Sequence, residues 1–180
     1  MFDLGAAWGT GITLGGFVLG AGLLVHALIG WWPGVKPLRK HPTRHAASAL
    51  PLVLGYAFGT LLAMCAGGLV GWLLNFSMWG VSWAGDAGLV WGVGGDGGDI
   101  VASRGPRQLL TNGGHAFVLI SLFVFSAVCR KSEAVRAVLI KSACAGVLLG
   151  LVPGVLGAMA VPLATAANVS MAWLTTNTLS

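Results

Sequence analysis

Four long apolar stretches constrain the fold of this 180-residue chain more than any other feature of its sequence. A helix that crosses a membrane needs about 20 apolar residues. Because lipid offers the backbone no hydrogen-bond partner, each such segment has to bond internally as a helix. The sequence therefore predicts an all-α integral membrane protein, a single domain over residues 1–180 with four transmembrane helices. The predicted spans run from about Thr10 to Trp32, Ala47 to Asn75, Gly113 to Cys129 and Ser142 to Asn168.

The composition agrees with this prediction. Only 8% of the residues are charged, 56% are hydrophobic and the mean hydropathy is +0.86. Soluble domains carry roughly 25% charged residues, so these charges cannot cover a water-exposed surface. At the N-terminus, Asp3 stands where a signal peptide carries basic residues, and we therefore expect the first span to be retained.

The distribution of basic residues predicts the orientation of the helices. Segments 33–46 and 130–141 hold eight of the ten Lys and Arg residues, and segment 76–112 holds the other two beside three acidic residues. The positive-inside rule makes the first two cytoplasmic loops and 76–112 one long extracytoplasmic loop, with both termini outside the plasma membrane. Orientation and anionic lipid account for the net charge of +5, so we expect no direct binding to nucleic acid.

Small residues recur at helical spacing in three of the four spans. A glycine inside a helix costs about 1 kcal/mol relative to alanine. In lipid, however, rows of small residues let helix backbones approach closely. The spacing therefore predicts glycine-zipper faces, each a groove for another helix. The predicted packing residues are Gly11, Gly15, Gly16, Gly20 and Gly22 in the first span, Gly55, Gly59, Ala63, Gly67 and Gly71 in the second, and Gly146, Gly150 and Gly154 in the fourth.

Two arrangements are compatible with these grooves. The glycines could pack the four helices of one monomer, or some of them could pack between subunits. At least four small-residue faces on three helices are more than one bundle of four helices needs. This surplus favours contacts between subunits, and we therefore expect a homo-oligomer. The third span is rich in Phe and is predicted to face lipid.

Few residues are placed to carry chemistry. His26 lies within the first span, where it could line a pore, bind a metal with symmetry mates or, more commonly, make one interhelical hydrogen bond. Pro153 removes a backbone donor and predicts a bend or a local opening of the fourth helix. The sequence contains no catalytic triad, phosphate-binding loop or zinc-ligand spacing. We therefore predict neither an enzyme nor a bound cofactor or metal.

The predicted outer loop has two further features. Four of its charged residues could pair within the loop or across a subunit boundary: Asp96, Asp99, Arg104 and Arg107. The stretch from Gly94 to Ala102, GGDGGDIVA, resembles one copy of the calcium-binding nonapeptide of repeat toxins. Because calcium coordination there needs stacked repeats, a single copy predicts instead a turn in which glycines adopt positive φ.

Together these features favour a self-associating membrane protein. Its assembly would form a pore, or the structural membrane component of a larger machine such as a bacterial secretion or conjugative DNA-transfer apparatus. The expected partners are the lipid bilayer, further copies of the chain and other membrane proteins. The alternative is a small transporter or ligand-binding membrane subunit with a site inside one bundle, marked by His26 and Pro153.

Overall fold

The fold is described by a computed structural model over residues 11–32, 42–65, 68–103, 110–131, 133–150, 152 and 160–178. Helices dominate these residues, which confirms the predicted all-α class. The helices are α1 (Leu14–Trp31), α2 (Pro42–Ala63), α3 (Gly68–Ala87), α4 (Asn112–Lys131), α5 (Glu133–Leu149) and α6 (Ala160–Thr178), and a π-helical turn over Gly88–Val93 extends α3. Two short strands, β1 (Gly11–Thr13) and β2 (Ile100–Ser103), pair antiparallel with an irregularity between Ile12 and Thr13.

Two helices in the described ranges are long and apolar enough to cross a membrane. They are Leu14–Trp31 and Asn112–Arg130, which correspond to the first and third predicted spans. A third crossing results if α2 and α3 are counted together, although the two are bent by 104° at the break between them. The described residues thus contain two or three candidate crossings, whereas the sequence predicted four.

The second predicted span, 47–75, is interrupted in the structure. Its first helix ends at Ala63, and the N–H groups of Met64 and Cys65 bond to carbonyls three residues back, at 3.2 and 2.9 Å. This tightening of the last turn is common at helix ends. Gly68 then begins α3 with φ of +72°, a conformation that glycine adopts far more readily than other residues. Gly68 therefore allows the chain to turn between α2 and α3.

The predicted outer loop, 76–112, is helical for about half of its length. Helix α3 and its π-helical extension continue to Val93, because the segment stays apolar and its small residues pack against α1. The chain then turns with positive φ at Gly94 (+71°) and Gly98 (+99°) before it enters β2. The predicted positive φ of the glycine turn is thus confirmed, and residues 76–93 are helical where the sequence predicted a loop.

Two further boundaries differ from the prediction. Helix α5 begins at Glu133, so Arg136 and Lys141 lie on a helix, whereas the sequence placed them in a cytoplasmic loop. An acidic residue in the first turn stabilises such a start through the helix dipole. The fourth predicted span, 142–168, includes the end of α5 and the first residues of α6 in the described structure. Pro153, where a bend was predicted, lies outside the described residues.

The helices pack in a simple pattern. Helices α2 and α5 lie side by side and run parallel, since Gly55 meets Ser142 and Thr60 meets Gly150. Helix α1 packs against α3 and α5, and α4 packs against α6. One core cluster joins α1, α3 and α5, and a second joins α2, α4 and α6. Helix α4 is less buried than α1, with 11% of its apolar span buried against 22%, as expected for a lipid-facing helix.

Candidate functional surfaces

The most extensive helix contact is a seam of glycines between α2 and α5, which we call the α2–α5 seam (Gly55, Gly59, Gly146 and Gly150). A Cβ added at Gly59 would overlap the Ala143 carbonyl, and one added at Gly146 would overlap the Tyr56 carbonyl. The backbones are therefore too close for any side chain. Four predicted packing residues thus serve one contact inside a single chain.

Two hydroxyl groups are fully buried at this seam. Thr60 Oγ1 donates to the Tyr56 carbonyl at 2.9 Å, and Ser142 Oγ donates to the Val138 carbonyl at 2.8 Å. Such bonds back to the preceding helical turn satisfy a buried hydroxyl on its own helix. Both hydroxyls therefore already donate within their own helices. The seam is a contact between packed helices.

A second close approach joins the start of α1 to the end of α3. A Cβ on Gly15 would overlap the backbone at Gly85 and Asp86, and one on Gly85 would overlap Gly15. At Gly16 an added Cβ would lie 2.8 Å from Ser82 Oγ, and at Gly20 it would lie 2.8 Å from Leu148 Cβ on α5. Neighbours within the chain therefore occupy the positions of Gly15, Gly16 and Gly20 on α1.

Polar groups reinforce this second contact. Asp86 is 5% exposed, and its Oδ1 accepts a hydrogen bond from Gly15 N at 3.2 Å. Thr13 Oγ1 accepts from Gly16 N at 3.3 Å and so caps α1, and Thr13 N donates to Ser82 Oγ at 3.4 Å. A carboxylate beside the first N–H groups of a helix accepts hydrogen bonds from donors that have no partner within the helix. Its negative charge also interacts favourably with the positive end of the helix dipole. The cluster is suited to holding α1 against α3.

His26 lies at the exposed surface of α1, and its Nε2 is 3.2 Å from the Lys141 Nζ of α5. An ammonium group has only donors, so the imidazole nitrogen accepts in this pair. The interhelical hydrogen bond was the commonest of the roles predicted for His26. Groups of three or more His, Cys, Asp or Glu that could hold a metal are absent from the described residues.

One face of α1 carries a glycine without a neighbour. A Cβ added at Gly22 would have nothing within 4 Å, and the residues around it on the same face, Val18, Val25 and Ile29, are 48%, 52% and 71% exposed. We call these four residues the outer stripe of α1. Gly22 and Gly15 share a helical face, so α3 covers that face at one end and leaves it open at the other.

An open apolar groove of about 510 Å³ runs between α2, α4, α5 and α6. Its walls include Leu54, Leu139 and Leu163, and the stacked rings of Phe58 and Phe125, whose centroids are 4.5 Å apart. Two serines also line it. Ser121 Oγ donates to the Phe117 carbonyl and Ser170 Oγ donates to the Ala166 carbonyl, each within its own helix. The groove therefore presents hydrocarbon almost throughout.

The remaining predicted site residues have varied positions. Gly11 lies in β1, while Gly71 and Ala63 are buried. Asp96 and Asp99 are exposed in the turn before β2, and the Asp99 carbonyl accepts from Leu14 N at 2.9 Å. The arginines predicted to pair with these aspartates lie outside the described residues. Gly67, Arg104, Arg107, Pro153 and Gly154 lie outside the described residues.

Sequence reasoning missed three positioning residues. Ser82 and Asp86 are four residues apart on one face of α3, a spacing that indicates a shared helical face once 76–93 is recognised as helical. Asn168 Oδ1 accepts from Thr111 N and Thr111 Oγ1, both at 3.0 Å, and so joins α6 to the start of α4. A lone Asn in a small-residue segment gives no comparable sequence signal.

Comparison with known proteins adds no relative from which a function could be transferred. No protein-family model, characterised protein or solved structure matches this chain. The geometry of the surfaces therefore carries the functional argument.

Proposed function

We propose that this chain is a multi-pass protein of the plasma membrane, with both termini extracytoplasmic, that self-associates into a homo-oligomer. The assembly forms a pore or the structural membrane component of a larger machine, of the secretion or DNA-transfer type, and acts without catalysis. The type of machine is proposed from architecture alone. The lipid bilayer and other membrane proteins are its further partners.

The observation that carries the proposal is the outer stripe of α1. The α2–α5 seam and the contact at Gly15 are already filled within the chain, so these glycines are not free to bind another subunit. Gly22 is open and has large exposed aliphatic residues beside it. In a membrane, an open small residue between larger ones is the geometry that lets a second helix approach closely.

The charge of Lys141 limits where two copies could meet. Its ammonium group lies beside His26, next to the outer stripe. A two-fold contact extending to His26 would bring like charges together, which is unfavourable. The proposed contact therefore centres on Val18 and Gly22, away from that end of α1.

Subunit copy number in mild detergent tests the proposal, measured by native mass spectrometry on wild type and the Gly22→Leu variant. We expect a discrete wild-type oligomer that dissociates when the leucine fills the stripe. Gly22→Ala keeps a small residue and should preserve the oligomer. Gly80→Leu is the matched control, because Gly80 on α3 also has open space around its Cβ position.

A wild-type monomer, or equal copy number in Gly22→Leu and Gly80→Leu, would contradict the proposed interface. If the oligomer forms, conductance across a planar bilayer separates the two forms of the proposal. A conducting oligomer is a pore, and a silent one is a structural component.

The alternative, a small transporter or ligand-binding subunit, needs a polar site inside one bundle. Of its two markers, Pro153 lies outside the described residues and His26 contacts Lys141 at the exposed surface. Neither observation favours this alternative over self-association.

A further inference from the structure

We propose that the apolar groove between α2, α4, α5 and α6 binds one acyl chain of an anionic phospholipid, whose phosphate lies beside Arg136. The occupant is a lipid of the leaflet that adjoins this arginine. The proposal does not depend on self-association.

The residues that line the groove favour an alkyl chain over a polar ligand. Its volume of about 510 Å³ falls within the range of roughly 300–1,000 Å³ found for small-molecule sites. The hydroxyls of Ser121 and Ser170 are both engaged by carbonyls of their own helices. A polar solute would lose its hydration there without gaining partners, whereas an alkyl chain loses nothing.

The length of the groove matches one leaflet. The groove follows α4 from Phe117 to Val128, which is a rise of about 17 Å at 1.5 Å per residue. The hydrocarbon core of a bilayer is about 30 Å thick, so half of it is about 15 Å. A single acyl chain therefore fits the groove from end to end.

Charge at one end of the groove identifies the headgroup. On α5, Arg136 precedes the lining residue Leu139 by three positions, and residues three apart are neighbours on one face of a helix. Arg136 is exposed. The segment 130–141 carries four basic residues against Glu133 alone, so this end is basic overall. Basic pockets between helices on the cytoplasmic side bind anionic lipid headgroups.

Lipid retention tests the proposal. The full-length protein is reconstituted with a mixture of phosphatidylglycerol and phosphatidylcholine, extracted in mild detergent and examined by native mass spectrometry. We expect wild type to retain one phosphatidylglycerol per chain. The Ala166→Trp variant places an indole in the groove and should lose this lipid. The matched control is Ala172→Trp, an exposed position on the same helix outside the groove, which should retain it.

A second variant tests the headgroup. Arg136→Gln should lower the preference for phosphatidylglycerol over phosphatidylcholine about fivefold, the effect of one basic residue near an anionic surface. Three outcomes would overturn the proposal: equal lipid retention in Ala166→Trp and Ala172→Trp, no preference for the anionic lipid in wild type, or a fall in subunit copy number in Ala166→Trp without loss of lipid. The last would assign the groove to a second copy of the chain.

Discussion

The α2–α5 seam and the outer stripe of α1 place the same residue type in opposite surroundings. At Gly59 and Gly146 the facing backbone lies so close that even a methyl group would overlap it, whereas at Gly22 a methyl group would meet nothing within 4 Å. Both regions have the sequence spacing of a packing groove. Glycine spacing therefore identifies faces on which helices are able to meet, but not whether the chain itself supplies the second helix.

Alanine substitutions give the largest expected difference between the two regions. Gly59→Ala should destabilise the fold by about 1–3 kcal/mol, because the Ala143 carbonyl is backbone and cannot move aside without shifting α5. Gly22→Ala should instead stabilise the fold by up to about 1 kcal/mol, since the helix loses a flexible residue and no contact is strained. The free energies of unfolding, measured in the same detergent, check both signs.

If Gly22→Ala lowered the free energy of unfolding as much as Gly59→Ala, a neighbouring helix would have to contact Gly22 as closely as α5 contacts Gly59. Since the described part of a single chain leaves Gly22 open, such a result in the oligomer but not in the monomer would point to a neighbouring subunit. Gly80→Ala, at an open glycine within α3, serves as the control for helix propensity alone.

The contact between α1 and α3 extends the comparison, because there a close glycine approach is joined by a hydrogen bond. Asp86→Ala should destabilise the fold by about 1–3 kcal/mol, since Gly15 N–H loses its acceptor inside the bundle. The exposed Asp96 is the matched control, and Asp96→Ala should change the unfolding free energy by less than about 0.5 kcal/mol.

Hydrogen exchange locates the effect of Asp86. In Asp86→Ala the amides of the first turn of α1 should exchange faster, while those of α2 and α5 at the seam should be unchanged. Uniformly faster exchange in every helix would instead assign Asp86 a role in global stability, and unchanged exchange at Gly15 would show that the bond contributes little.

The sequence was sufficient for the class of the fold and for two of its helices. The stretches of α1 and α4 are apolar, uninterrupted and of spanning length, so length and hydropathy alone predict them. The end of α2 at Ala63 and the new helix start at Gly68 were not predicted, because a glycine in a helical ridge and a glycine in a turn look alike in sequence. Only the φ of +72° at Gly68 distinguishes them.

The candidate surfaces were predicted less completely, for a related reason. Spacing picks out Gly55, Gly59 and Gly146 as residues of packing faces, but the pairing of Gly55 and Gly59 with Gly146 depends on how distant helices dock. Asp86 was placed in a loop because charge usually ends a span. Asp86 can be buried because the Gly15 N–H group of α1 donates a hydrogen bond to its carboxylate. Lipid offers no such donor, so the same carboxylate facing lipid would be costly.

The smallest expected effect concerns His26, which lies at the edge of the outer stripe. A double-mutant cycle of His26→Ala and Lys141→Ala should give a coupling energy below about 1 kcal/mol, because both side chains are exposed and such pairs are weak. The cycle is measured from unfolding free energies of monomer and oligomer separately. A coupling well above this value in the oligomer alone would mean that a neighbouring subunit shields the pair from solvent. The interface would then extend along the stripe to His26, despite the charge of Lys141, and would not centre on Gly22.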